Sequence, residues 1–243
     1  MEHVEVGWEA RPPLGLIRLP EAGLGRRAAL ELDEILAGLH EDDSDEIRVL
    51  VMSGFPGSAG PEAEDDATRV GVDPPSRLVG SRRPVVAAVT GACRSAPLAL
   101  ALASDVRIAS PDARFGLPEV PAGAVPGWDA IALLVRVVGP ARATPMVLAG
   151  RELDAAEALA AGLVHEVADE PLVRAVEVAE GLAERGPLAL EYAKEAIWRG
   201  ARMALGDALR LEADFNHLLQ ASEDRAEGLA AFFDKRTPRF QGR

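Results

Sequence analysis

Residues 83–120 read RPVVAAVTGACRSAPLALALASDVRIASPDARFGLPEV, and they indicate the fold class most clearly. This stretch opens with the short valine-rich run Val85–Val89, which is typical of a strand buried on both faces. The Ala- and Leu-rich segment Pro97–Ser104 predicts a helix, and Asp105–Ala109 predicts a further buried strand. Because near-continuous apolar strands alternate with helical segments, we expect an α/β protein whose sheets are covered on both faces.

The residues before this stretch continue the alternation. Val4–Trp8 and Leu14–Leu19 predict a β-hairpin around the turn at 11–13. Arg27–His40 predicts an amphipathic helix and Ile47–Met52 a buried strand. The expected inward face of that helix carries Leu30, Ile35, Leu36 and Leu39.

The residues after it are predicted to be mostly helical. Asp154 and Glu157 have the spacing of a capping pair at the start of a helix. Three amphipathic helices are predicted at Pro187–Gly200, Gly206–Ala221 and Ser222–Lys235. Their apolar side chains exceed what one helical layer needs, so we expect contact with a neighbouring subunit.

The composition excludes several classes of partner. The 243 residues include 26 Lys and Arg against 39 Asp and Glu, which gives a formal net charge of −13. Such a field repels nucleic-acid phosphates and anionic lipid surfaces, so we expect no nucleic acid and no membrane as partners. The single cysteine, Cys93, allows no intrachain disulfide, and the N-terminus lacks a signal-peptide pattern. These features predict a cytoplasmic protein. The four histidines show no metal-ligand spacing, so we expect no metal.

A series of motifs along the chain resembles a known family. The chain carries Asp-x-Arg-Ile-Ala at 105–109, Phe-Gly-x-Pro-Glu at 115–119, Pro-Gly at 126–127 and Gly-Leu-Val at 162–164. Upstream lies IRVLVMSGFPGSAGPEAED at 47–65, and EGLAAFFDKRTPRFQGR at 227–243 looks like a terminal family helix. In this order and spacing, the series resembles the crotonase (enoyl-CoA hydratase/isomerase) superfamily.

The resemblance implies an α/β crotonase (ClpP-like) fold with a repeated ββα spiral core. Residues 1–186 would form that core with an acyl-CoA site, and residues 187–243 a C-terminal helical region that packs on the core and on a neighbouring subunit. A homotrimer or a dimer of trimers is implied as well. Coenzyme A would enter as part of the thioester substrate, so no separate cofactor is expected.

The family's chemistry implies a role for Glu119. A reaction next to the thioester carbonyl builds negative charge on its oxygen, which two backbone N–H groups stabilise while carboxylates move protons. Glu119, in Phe-Gly-Leu-Pro-Glu, matches the family's second glutamate and is the candidate general acid/base. Ala99 stands where the other glutamate is expected and cannot transfer a proton.

The oxyanion hole also departs from the family pattern. Ser95-Ala96-Pro97 replaces the usual Gly-Gly-Gly, and Ala96 matches the second N–H donor. Pro97 is compatible with a first helical turn. Pro61 matches the first donor but has no N–H, unless a register slip of one residue places Gly60 there.

Further candidates surround this site. Asp129 is a second candidate for proton transfer, and capping of the following helix explains it equally well. Trp128 either narrows the acyl pocket or packs in the interior. The resemblance also implies substrate contacts, which would come from Arg26, Arg27, Ala59, Trp128, Phe232 and Lys235.

Three functions remain open at this point. A single glutamate suffices for a proton shuttle such as double-bond isomerisation of an enoyl-CoA, and an enoyl-CoA hydratase is the family's common activity. Ala99 and Pro61 also fit a non-catalytic homologue that binds CoA thioesters. Hydrolysis or decarboxylation of an acyl-CoA with Asp129 is the third possibility.

Overall fold

The computed structural model describes residues 5–21, 23–42, 46–55 and 67–243. Its strands are β1 (Gly7–Arg11), β2 (Leu14–Arg18), β3 (Val49–Ser53), β4 (Val85–Val89), β5 (Ala92–Arg94), β6 (Val106–Ala109), β7 (Arg114–Gly116), β8 (Leu153–Asp154) and β9 (Glu166–Val167). Its helices are α1 (Arg26–Glu41), α2 (Pro74–Gly80), α3 (Ser95–Ala103), α4 (Ala130–Val138), α5 (Pro140–Leu148), α6 (Ala155–Ala160), α7 (Pro171–Ala183), α8 (Pro187–Gly200), α9 (Leu205–Gln220) and α10 (Glu223–Asp234).

The larger sheet has the strand order β1-β2-β3-β4-β6-β9. The β1–β2 hairpin is antiparallel, and every other neighbouring pair is parallel. Side chains alternate between the faces: Val49 and Val51 pack with α7, whereas Leu50 and Met52 pack in the core that includes α1 and α3. The near-continuous apolar strands therefore reflect a sheet covered on both faces, as predicted.

A smaller sheet with the order β5-β7-β8 positions the candidate site. β5 and β7 are parallel, with Cys93 opposite Phe115 and Arg94 opposite Gly116. β8 adds to β7 in the antiparallel direction. These strands of two or three residues are too short to be visible in the sequence pattern.

The predicted elements are confirmed with shifts at their ends and two corrections. Within α1, Leu32 and Leu36 are buried, but Leu30 is 41% exposed, so its predicted inward orientation is wrong. The short helix α2 was not predicted; Asp73 caps it, and its side chain accepts the N–H of Ser76. Asp154 and Glu157 form the predicted capping box of α6.

Helices α8, α9 and α10 confirm the three predicted C-terminal helices. Asp105 fastens α8 to the sheet, because its carboxylate accepts the amide of Val85 at 2.7 Å and the indole N–H of Trp198 at 2.8 Å. In α9 no residue is buried within the single chain. No helix of the described ranges is both long and apolar enough to cross a membrane.

Candidate active site

The turn between β5 and α3 has an unusual backbone. Ser95, the first residue of α3, has φ +54°, a left-handed conformation that costs a non-glycine residue about 1–2 kcal/mol. Ser95 is also only 3% exposed. Strain of this kind persists where the surrounding structure requires the conformation, and such sites are often functional. The turn thus keeps a glycine-type geometry although it carries a side chain.

This conformation suits the binding of an oxyanion. The first N–H groups of a helix have no partner within the helix. A left-handed residue followed by helical residues turns successive N–H groups towards one point, which makes a concave anion site. Ala96, predicted as an oxyanion donor, is buried in this first turn. Pro97 follows it, where its missing N–H removes no helical hydrogen bond.

Ala99, the position where the resemblance predicts the family's other glutamate, lies in the middle of α3. Ala99 is fully buried, and every residue of α3 is buried around it. A methyl group in this environment cannot exchange protons. Any proton transfer at this site must use another side chain.

Glu119 lies in the loop after β7 and is partly buried. Its backbone carbonyl accepts the amides of Ala122 and Ala124 at 3.0 and 2.9 Å, which closes the loop around it. Its Oε2 atom is inaccessible to solvent and has no hydrogen-bond partner. Leaving a buried polar group without a partner costs about 1–3 kcal/mol, so a ligand that supplies the partner gains that energy.

Ser95 Oγ shares this property with Glu119 Oε2. Among the described residues, these two are the buried side-chain polar atoms that lack a hydrogen-bond partner. The parallel register Arg94↔Gly116 places Ser95 one residue, and Glu119 three residues, beyond the same end of two paired strands. The two unsatisfied atoms therefore belong to one region of the molecule.

Arg94 and Glu152 support this region, and the sequence did not reveal the contact. Arg94 Nε donates to Glu152 Oε1, and Arg94 Nη2 donates to Oε2 at 2.9 Å. The hydrogen bond from Arg94 lowers the pKa of Glu152 below its usual value. A Cβ on Gly116 would lie 2.9 Å from Glu152 Cγ, so glycine is needed where this side chain crosses β7. Because these residues are far apart in the sequence, no local pattern indicates that they form an ion pair.

The loop before α4 holds Trp128 and Asp129, both left-handed at φ +50° and +54°. The Trp128 ring is buried in the core, and its Nε1 donates to the Val72 carbonyl at 3.1 Å, which agrees with the packing interpretation. Trp128 also lines a cleft, and its contact with the substrate stays a prediction. Asp129 is exposed, lines a cleft of about 490 Å³, and makes no side-chain hydrogen bond to the helix. Asp129 occupies the N-cap position of α4, but its side chain accepts no helical N–H, so the predicted side-chain cap is wrong.

The predicted CoA contacts lie on the surface of the chain. Arg26 and Arg27 are exposed at the start of α1, and Arg27 pairs with Glu31 at 2.9 Å. Phe232, 77% exposed on α10, is followed by the exposed Lys235 at the helix end. The predictions for Ala59, Gly60 and Pro61 lie outside the described residues. No group of three His, Cys, Asp or Glu side chains that could hold a metal occurs in the described parts of the chain.

Several known proteins have sequences similar to this chain. The model of the enoyl-CoA hydratase/isomerase family matches residues 30–243. The chain is 43% identical over 170 residues to 2,3-dehydroadipyl-CoA hydratase of Escherichia coli K12, an alignment that covers 69% of this chain and 67% of that protein. It is 35% identical over 162 residues to short-chain-enoyl-CoA hydratase of Clostridium acetobutylicum, covering 66% of this chain and 62% of that protein.

Two solved structures match this chain over nearly the full length of both chains. Enoyl-CoA hydratase subunit I of Geobacillus kaustophilus has a TM-score of 0.87 and 31% identity, with 100% of both chains covered. Enoyl-CoA hydratase of Bacillus anthracis has a TM-score of 0.85 and 30% identity, covering 99% of this chain and 100% of that one. The predicted crotonase fold is thus confirmed. The chain belongs to the enoyl-CoA hydratase/isomerase family of the crotonase superfamily.

Proposed function

We propose that the protein acts on an enoyl-CoA thioester with Glu119 as its single proton-transferring carboxylate. Family membership supports an acyl-CoA hydratase or isomerase activity. The observation that carries the single-carboxylate proposal is the buried, unpartnered Oε2 of Glu119 beside a helix that carries Ala99 instead of a glutamate.

Isomerisation fits one carboxylate directly. Glu119 takes a proton from C2 of a 3-enoyl-CoA, and the electron pair moves onto the thioester oxygen as an enolate. The double bond then shifts to C2–C3 as Glu119 returns the proton to C4. Donors at the first turn of α3 stabilise the intermediate charge. No cofactor is needed beyond the CoA of the substrate. Hydration of a 2-enoyl-CoA is the related reaction, supported by the names of the similar proteins.

The test compares the wild-type protein with Glu119→Gln on crotonyl-CoA and on a 3-enoyl-CoA. Thioester absorbance reports turnover, and calorimetry reports binding. We expect wild-type turnover of at least one substrate, a fall of about 10²–10⁴ in kcat for Glu119→Gln, and similar binding. The control Glu180→Gln changes an exposed carboxylate on α7 and should leave both measurements unchanged.

Two alternatives have distinct outcomes in the same experiment. Binding without turnover in either protein identifies a non-catalytic CoA-thioester-binding homologue, which Ala99 and the missing N–H of Pro61 favour. Turnover that survives Glu119→Gln but not Asp129→Asn identifies a different reaction, such as hydrolysis or decarboxylation; the exposure of Asp129 beside a cleft favours it.

We also propose that the protein assembles into a homotrimer or a dimer of trimers. Large apolar side chains of α9 and α10 are exposed in the single chain, among them Leu205, Leu209, Phe232 and Phe233. Contiguous exposed apolar surface marks interaction sites. In such an assembly, Phe232 and Lys235 would contact the CoA bound to a neighbouring subunit, and Arg26 and Arg27 the CoA phosphates.

A further inference from the structure

The hydroxyl of Ser95 makes no hydrogen bond within the described residues. Two other buried serines have partners: Ser104 Oγ donates to the Leu100 carbonyl at 3.0 Å, and Ser110 Oγ donates to Asp112 Oδ1 at 2.5 Å. Ser95 Oγ is equally buried but has none. A hydroxyl carries one donor and two acceptor sites, so a ligand is the natural source of its missing partner.

Covalent geometry places this hydroxyl beside the Ala96 N–H. Four bonds separate Ser95 Oγ from the Ala96 nitrogen, which limits their distance to about 5 Å. An oxygen that accepts from the Ala96 N–H would lie about 2.9 Å from that nitrogen. Such an oxygen is therefore within reach of the Ser95 hydroxyl as well.

We propose that Ser95 is a catalytic residue whose hydroxyl donates a hydrogen bond to the thioester oxygen, in addition to the N–H of Ala96. This inference rests on the proposed acyl-CoA function and adds a side-chain donor at a position where the family has glycine. Ser95 keeps its proton and forms no covalent bond. Hydrogen bonds to charged acceptors are roughly twice as strong as neutral ones, so this bond strengthens as the enolate forms.

A difference from the family at Pro61 supports this role for the Ser95 hydroxyl. Pro61, which matches the position of the first oxyanion donor, has no N–H to offer. A side-chain donor at Ser95 supplies a hydrogen bond that the family otherwise draws from the backbone. The left-handed backbone of Ser95 is then maintained because it directs this turn towards the substrate.

The test uses acetoacetyl-CoA, a thioester that ionises to an enolate with near-ultraviolet absorbance and requires no turnover. The pH midpoint of enolate formation is measured on the full-length wild-type, Ser95→Ala, Ser95→Gly and Ser104→Ala proteins. We expect both Ser95 variants to bind the enolate roughly tenfold to hundredfold more weakly, which raises the midpoint by about one to two pH units. Affinity for the neutral form should change little.

Thermal unfolding separates a catalytic role from a structural one. Ser95→Ala removes a hydroxyl without a partner and should not lower Tm, whereas Ser104→Ala should lower Tm and leave the enolate midpoint unchanged. An unchanged midpoint in both Ser95 variants overturns the proposal, even if hydration slows, because the hydroxyl would then position a water rather than the thioester oxygen. Enolate formation without enoyl-CoA turnover by the wild type would refute the proposed function, and the midpoints of the Ser95 variants would still show whether the hydroxyl contacts the thioester oxygen.

Discussion

Lys194 on α8 lies 2.8 Å from Asp105 Oδ2, the carboxylate at the start of β6, and both side chains are largely buried. The ammonium also donates to the carbonyls of Leu78 and Arg83 at 3.0 and 2.9 Å. This contact joins the C-terminal helical region to the larger sheet. Burial lowers the pKa of Lys194, but three oxygen partners satisfy its three donors.

Replacement of Lys194 should therefore destabilise the fold strongly. Lys194→Met leaves Asp105 as a buried charge without its counter-ion, which costs about 3–5 kcal/mol of unfolding free energy. Chemical denaturation measures this change. Lys235→Met alters an exposed lysine and should stay within about 0.5 kcal/mol of the wild type. A loss below about 1 kcal/mol for Lys194→Met would contradict the importance of the pair.

Gly116→Ala should damage the site without removing any polar group. The added Cβ would lie 2.9 Å from Glu152 Cγ, an atom that the ion pair with Arg94 holds in place. Overpacking of this kind costs about 1–3 kcal/mol. We also expect kcat to fall, because Glu119 follows three residues later. Gly181→Ala on α7, where nothing lies near the added Cβ, is the control and should be neutral or stabilising.

The Arg94–Glu152 pair should make stability sensitive to acid. The folded-state pKa of Glu152 is lowered, so the pair stabilises the fold fully above the usual carboxyl pKa near 4.5 and less as the pH falls below it. We expect Glu152→Gln to cost about 1 kcal/mol at pH 7 and progressively less in acid, since both side chains are partly exposed. Unfolding by urea between pH 7 and pH 3 measures the difference, and a pH-independent difference would refute it.

Glu227 should titrate at an abnormally low pH. Its carboxylate accepts hydrogen bonds from Nη1 and Nη2 of Arg236, at 2.6 and 2.8 Å, and from the Arg239 amide at 2.7 Å. These hydrogen bonds lower the pKa of Glu227 from 4.5 to about 2. The contribution to stability is present above pH 4.5 and disappears as the pH falls towards 2. Carboxyl-carbon NMR should show this midpoint, and Arg236→Ala should return it towards the usual value.

The exposed face of α9 should mediate self-association. Leu209 is 56% exposed, and a charge there would be buried in a subunit contact. We expect Leu209→Glu to reduce the molar mass measured by light scattering from that of a trimer or hexamer to that of one chain. Arg210→Glu, the charge-reversal control next to it, should have a smaller effect. An assembly that survives Leu209→Glu would place the contact elsewhere.

Local patterns in the sequence were sufficient to predict the α/β class, the main strands and helices, and the family. Apolar runs such as Val85–Val89 and capping pairs such as Asp154 and Glu157 are local patterns, which can be recognised without knowledge of the fold. The sequence also identified Glu119 as a candidate base, Ala99 as a lost one, and Ala96 as a candidate donor.

The neighbours of these residues, in contrast, depend on the tertiary structure. The packing of strands that are distant in sequence brings Ser95 and Glu119 to one end of the small sheet, pairs Arg94 with Glu152, and turns Leu30 outward. The same packing leaves Ser95 Oγ and Glu119 Oε2 buried without partners. Burial and partnership depend on contacts between distant segments, which periodicity cannot encode, and this is why the role proposed for Ser95 emerged only from the fold.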